Sequence, residues 1–184
     1  EVKERKYCLF PLLARDVDPM FSAWGVVDYL LNMKAFSRGD APLFLRLLRS
    51  RELLVRQRAW ARAKTLTQHG VLTVEELRRA KRYFLEVLKY PFVEVKANWG
   101  KMFLPLDPWS VALELLHTGI LERDDLIGRA KYFLKALEYP DPNFRLLAWW
   151  DSVELVKLGL IGVETLRGKK LSFLQIAVSL RERR

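Results

Sequence analysis

The chain has 184 residues, enough for one domain with a continuous core, and its 51% hydrophobic and 29% charged residues exclude a disordered polymer. One cysteine, Cys8, and two histidines, His69 and His117, exclude an intramolecular disulfide and a Cys/His zinc site, and no apolar run approaches the roughly 18 residues of a membrane-spanning helix. The net charge of +10 favours acidic or polyanionic partners over basic ones, and the expected compartment is the reducing cytoplasm.

In chain order, residues 1 to 14 read as a helix or an extended arm. Residues 19 to 36, with DPMFSAWGVVDYLL from Asp18, and then 41 to 48 make a first, shorter helix pair turning at Gly39. The next segment, 51 to 69, carries ELLVRQRAWARAKTLTQHG, a helix that ends at Gly70. A second helix follows, with Leu77, Ala80, Phe84, Val87 and Leu88 on one arc and Arg78, Arg82, Glu86 and Lys89 opposite. Thr73 with Glu76 has capping-box spacing at its start, and Tyr90-Pro91 stops it.

After Pro91, FVEVKANWGKMF reads as the first part of a helix, 92 to 103, separated by Pro105 and Pro108 from a second part, 107 to 118. Gly119 then opens a copy of the earlier helix: GILERDDLIGRAKYFLKALEYP matches GVLTVEELRRAKRYFLEVLKYP at nine of 22 positions, 49 residues apart. A third, more diverged copy starts at Gly159, 40 residues on, after PNFRLLAWWDSVELVKLG. The extra nine residues of the longer interval fall in the Pro-rich insert. An internal period near 40, each unit built of helix, glycine turn and helix, means that the chain is one domain with units at roughly 18–50, 51–91, 92–140 and 141–182.

Asp141-Pro142-Asn143-Phe144-Arg145, followed by an apolar helix to Leu158-Gly159, resembles the opening of a HEAT repeat, in which an Asp-Pro turn precedes a hydrophobic and then a basic residue. Arg56 after Val55 and Lys96 after Val95 match the same basic place, whereas Ser22 departs from it. The resemblance covers about 18 to 182. It implies an all-α fold, a right-handed α-α superhelix of about four antiparallel helix pairs, and it carries architecture rather than chemistry.

Charge is unevenly spread: residues 46 to 90 hold twelve Lys/Arg against four acids, and 91 to 166 hold eight against eleven. On the helix of 51 to 69, Arg51, Arg58 and Arg62 fall in one stripe, and Arg78, Arg82 and Lys89 form another on the next helix. Converging stripes would suit phosphates; diverging ones would be solvated faces. Trp24, Trp60, Trp99 and Trp149 recur once per unit, which indicates packing between helices, with Trp109 and Trp150 as extras; Trp150 is the aromatic candidate for binding.

Asp151 beside Trp149-Trp150, on a basic helical repeat, resembles in outline the DNA alkylation-repair glycosylases, although no motif carries a catalytic residue across. The histidines precede turn glycines and suit helix C-termini. GVETLRGKK has five residues between Gly162 and Gly168 where a phosphate loop has four, and is rejected. Few amides, three Asn and three Gln, are consistent with a thermophilic source. The expected function is a non-enzymatic binding scaffold without cofactor or metal that engages a protein partner. The alternative is a nucleic-acid-binding module.

Overall fold

A computed structural model describes residues 9–13, 23–90, 94–97, 100–103 and 107–182, with side chains over 9–13, 23–90 and 107–176. The described chain is helical apart from one β-hairpin. Its elements are α1 (Leu9–Leu13), α2 (Ala23–Asn32), a 3-10 turn at Arg38–Asp40, α3 (Ala41–Leu48), α4 (Leu53–Trp60), α5 (Ala63–Gln68), α6 (Val74–Val87), β1 (Glu94–Ala97), β2 (Gly100–Phe103), α7 (Pro108–His117), α8 (Arg123–Ile127), α9 (Ala130–Ala136), α10 (Pro142–Lys157), α11 (Val163–Arg167) and α12 (Lys170–Glu182).

One turn, used four times, organises these helices. Gly70, Gly119 and Gly159 follow α5, α7 and α10 with φ of +69°, +71° and +65°, the left-handed region that ends a helix. At each, the next amide reaches back to close the turn at 2.9 Å: Val71 to the Leu66 carbonyl, Ile120 to Leu115 and Leu160 to Leu155. The fourth case is Lys34, at φ +52°, where Ala35 N–H donates to the Leu30 carbonyl at the same 2.9 Å. The first turn therefore lies at Lys34 and not at the expected Gly39, which sits in the 3-10 turn.

What surrounds the turn repeats with it. The two residues after it are apolar and buried each time: Ala35-Phe36, Val71-Leu72, Ile120-Leu121 and Leu160-Ile161. A capping acid then closes on the amide three residues earlier, Asp40 on Ser37, Glu76 on Thr73 and Asp125 on Glu122, at 2.8–3.0 Å. Ten residues before the turn stands a tryptophan, Trp24, Trp60, Trp109 or Trp149. Three of these pack on the aromatic fourteen residues after it, Trp60 on Phe84, Trp109 on Phe133 and Trp149 on Phe173, with centroids 5.2–5.4 Å apart. We call each such helix, turn and helix a module. Trp109, expected as an extra, occupies the recurring place, and Trp99 lies outside the described residues.

Two further expectations are corrected. Residues 94–97 and 100–103 are not helical: Glu94 pairs with Phe103 and Ala97 with Gly100 in an antiparallel ladder. The alternation Val93-Glu94-Val95-Lys96 has period two, which suits a strand. The helix of 51 to 69 is also interrupted. Arg62 donates its side-chain Nη1–H to the Arg58 carbonyl at 3.2 Å while its own amide turns to Ala59, a side chain inserted into the ladder that separates α4 from α5. In the copies of α6, Gly128 and Gly168, both nine residues past the turn, divide α8 from α9 and α11 from α12 where α6 has Arg79 and runs on.

Consecutive modules touch like with like. First helices meet through Arg62 and Asp28, Lys64 and Glu114, Ser110 and Asp151, and His117 and Glu154. Second halves meet through Arg38 and Glu76, Lys81 and Asp125, and Lys169 and Glu138. An arginine from each of the first three modules also donates to a carbonyl of the next module's turn: Arg38 to Val71 at 3.1 Å, Arg78 to Gly119 at 2.8 Å and Arg123 to Leu158 at 2.7 Å. A buried core runs through all four modules, from Leu13 to Ile161.

Candidate functional site

The structure disperses the six basic candidates. Arg51 lies in the bend before α4 and is exposed. Arg58 is 3% exposed, inside the core. Arg62 grips Asp28 with two hydrogen bonds of 2.7 Å and stacks its guanidinium 5.0 Å over Trp24. Arg78 is held by the Gly119 carbonyl, Arg82 lies 4.8 Å over the Tyr83 ring, and Lys89 pairs with Glu86 three residues back. The two stripes therefore divide between core, contacts between modules and open surface.

A different basic grouping forms around Arg51. Arg46, Arg49 and Arg51 line one depression of about 1120 Å³, together with Phe10, Pro42 and Leu43. The cluster joins the end of α3 to the bend before α4, and so was hidden from a search along single helix faces.

Trp150 is the remaining candidate, and the structure places it in company. It is 74% exposed on α10 and lines a depression of about 650 Å³ with Trp149, Val153, Lys157, Leu166 and Phe173. The neighbouring surface is also apolar: Leu147, Leu171 and Leu174 are all exposed. Phe84 and Phe133, the equivalents of Phe173, are fully buried, as is Leu77, the equivalent of Leu166. The last module thus opens at Phe173 and Leu166 places that earlier modules bury, and with Trp150 and Val153 they line a largely apolar depression of the kind that marks an interaction site.

Asp151 points to a structural pair. It accepts a 2.8 Å hydrogen bond from Ser110 of the preceding module and sits against Asp107, which caps α7 by accepting Trp109 N–H at 2.8 Å. Burial, reinforced by the negative Asp151 carboxylate, pushes Asp107 up to about 8. Burial raises Asp151 as well. The two acids together hold a proton near neutrality. Among the described residues no group of His, Cys, Asp and Glu is arranged to hold a metal ion, and no helix is long and apolar enough to cross a membrane.

Comparison with protein-family models, with curated proteins and with solved structures finds no match to this chain.

Proposed function

We propose that the chain is a HEAT-like right-handed α-α superhelix of four antiparallel helix pairs, and that it works as a non-enzymatic scaffold whose last module binds a protein. The observation that carries this reading is the apolar depression lined by Trp150, Val153 and Phe173, which opens Phe173 to solvent where its equivalents Phe84 and Phe133 are buried. In a stack of repeats each unit buries its apolar side against its neighbour, and a terminal unit needs a polar cap to stay solvated. Among the described residues the fourth module leaves Trp150, Val153 and Phe173 exposed. An aromatic anchor beside aliphatic residues suits the core of a protein interface. The hydrogen bond that ties Asp151 to Ser110 supports a structural role for it. Capture from an extract of the source cell tests the reading. The wild-type chain should retain a protein after nuclease treatment, and Trp150→Glu should lose it. Equal capture by both would refute it.

The second reading, nucleic-acid binding, is favoured by the depression that gathers Arg46, Arg49 and Arg51. It predicts affinity for single or double strands that falls by roughly one log unit per log unit of salt for each phosphate contacted, and that is lost in the triple Arg→Glu variant. No binding at low salt would end it.

A further inference from the structure

The four turns set a common register, and counting back from each turn residue shows which face of the first helix meets which neighbour. Eight and five residues before the turn, the helix faces the preceding module. Arg62 there reaches Asp28, Glu114 reaches Lys64, and Asp151 and Glu154 reach Ser110 and His117. Nine, six and two residues before the turn, it faces the following module. Ser110 holds the first of these places, Asp28 and Lys64 the second, and His117 the third.

On the first and fourth modules, among the described residues, these places carry exposed apolar side chains. On α2, Val26 and Tyr29 stand eight and five residues before Lys34, and Met33 stands one before it; they are 45%, 62% and 62% exposed. On α10, Trp150 and Val153 stand nine and six residues before Gly159, 74% and 55% exposed, and Lys157 stands two before it. The backward face of the first module and the forward face of the last are thus the two halves of the contact that already joins the modules inside the chain.

We propose that these ends bind each other, so that a second copy of this chain docks head to tail and continues the stack. The proposal rests on the scaffold reading and names its partner. The internal pairings fix the register. The Ser110–Asp151 relation sets Trp150 against Val26 of the next copy, and the Lys64–Glu114 relation sets Val153 against Tyr29. The His117–Glu154 relation sets the Lys157 ammonium over the Tyr29 ring, a cation–π contact. No like charges are opposed at these places. The contact is heterologous, leaving one free end of each kind, so association can proceed past the dimer. Because each copy carries +10, added salt screens their repulsion and strengthens the association, opposite to its effect on nucleic-acid binding.

Sedimentation velocity over a concentration series tests this with wild type, Trp150→Glu, Tyr29→Glu and a mixture of the two variants. Circular dichroism confirms that each variant is folded, and Trp150→Ala with Tyr29→Ala serves as a milder second pair. Wild type should associate as concentration rises, more strongly at higher salt. Each variant alone should associate at least about tenfold more weakly, since one half of every contact is lost. The mixture should form a one-to-one complex, because the Tyr29→Glu chain keeps an intact Trp150 and the Trp150→Glu chain an intact Tyr29. Association of Tyr29→Glu alone at the wild-type level would show a tail-to-tail contact and overturn the proposal, as would a mixture that stays monomeric. Monomeric wild type that still captures another protein through Trp150 would overturn it while leaving the scaffold reading in place. Loss of both would overturn both.

Discussion

Asp107 caps α7 while lying against Asp151 of α10, so that two acids from neighbouring modules share one largely buried place. Asp107 is only 5% exposed. Its raised value means that the folded chain keeps a proton the unfolded chain has released between pH 3.8 and about 8. The associated stability is complete below the unfolded value and is lost as pH rises through the folded one. Asp107→Asn keeps the cap and needs no proton. The variant should therefore be more stable than wild type at pH 9, by on the order of 2 kcal/mol, with the difference shrinking toward pH 4. Urea unfolding across this range measures it, and parallel wild-type and variant profiles would contradict it.

The left-handed turns give a second prediction. Lys34 adopts a conformation that glycine takes without strain, so Lys34→Gly should raise stability by about 0.5–1 kcal/mol, whereas Gly70→Ala at φ +69° should lower it by about 1 kcal/mol. Gly159→Ala should cost more than Gly70→Ala, because the added Cβ would stand 3.0 Å from the Arg123 side chain where Gly70 has open space. Thermal melts of the three variants order these effects.

The tryptophans should separate by place. Trp60 and Trp109 are fully buried on Phe84 and Phe133, and replacing either with alanine should cost about 3–5 kcal/mol. Trp150→Ala should change stability by less than about 0.5 kcal/mol, since its ring lies mostly in solvent. Chemical denaturation of the three variants checks the contrast, and a large loss for Trp150→Ala would assign that ring to the core.

Arg62 joins two modules in a way lysine cannot imitate, bidentate on Asp28 and stacked on Trp24. Arg62→Lys should lose most of what Arg62→Ala loses, about 1–2 kcal/mol, and a double-mutant cycle with Asp28→Ala should show coupling of about 1 kcal/mol. Additivity of the two changes would contradict the pairing.

The repeat was legible because its construction depends on residue types with few substitutes. Glycines at 70, 119 and 159 and the Tyr-Phe-Leu triplet mark equivalent places in plain text. Lys34 concealed the first turn, since a lysine at positive φ carries no such mark; the tryptophan ten residues before each turn was the available signal and would also have chosen Trp109 over Trp99. The hairpin was legible in the alternation around Val93 and Val95, but the preceding pattern favoured another helix. The fate of the arginines was not legible, because the burial of Arg58 and the grip of Arg62 on Asp28 depend on what the fold sets beside them. The same holds for Trp150, whose exposure depends on what folds beside α10 and leaves no mark in the pattern along that helix.

The central claim is that the open face of the last module receives a protein. A photoreactive residue placed at position 150 and activated in the source cell tests it most directly, with mass spectrometry identifying what is joined. The account predicts adducts to protein, a second copy of the chain among them, that map to a defined surface. Adducts to nucleic acid alone, or none above the level given by the same probe at exposed Arg79, would contradict it.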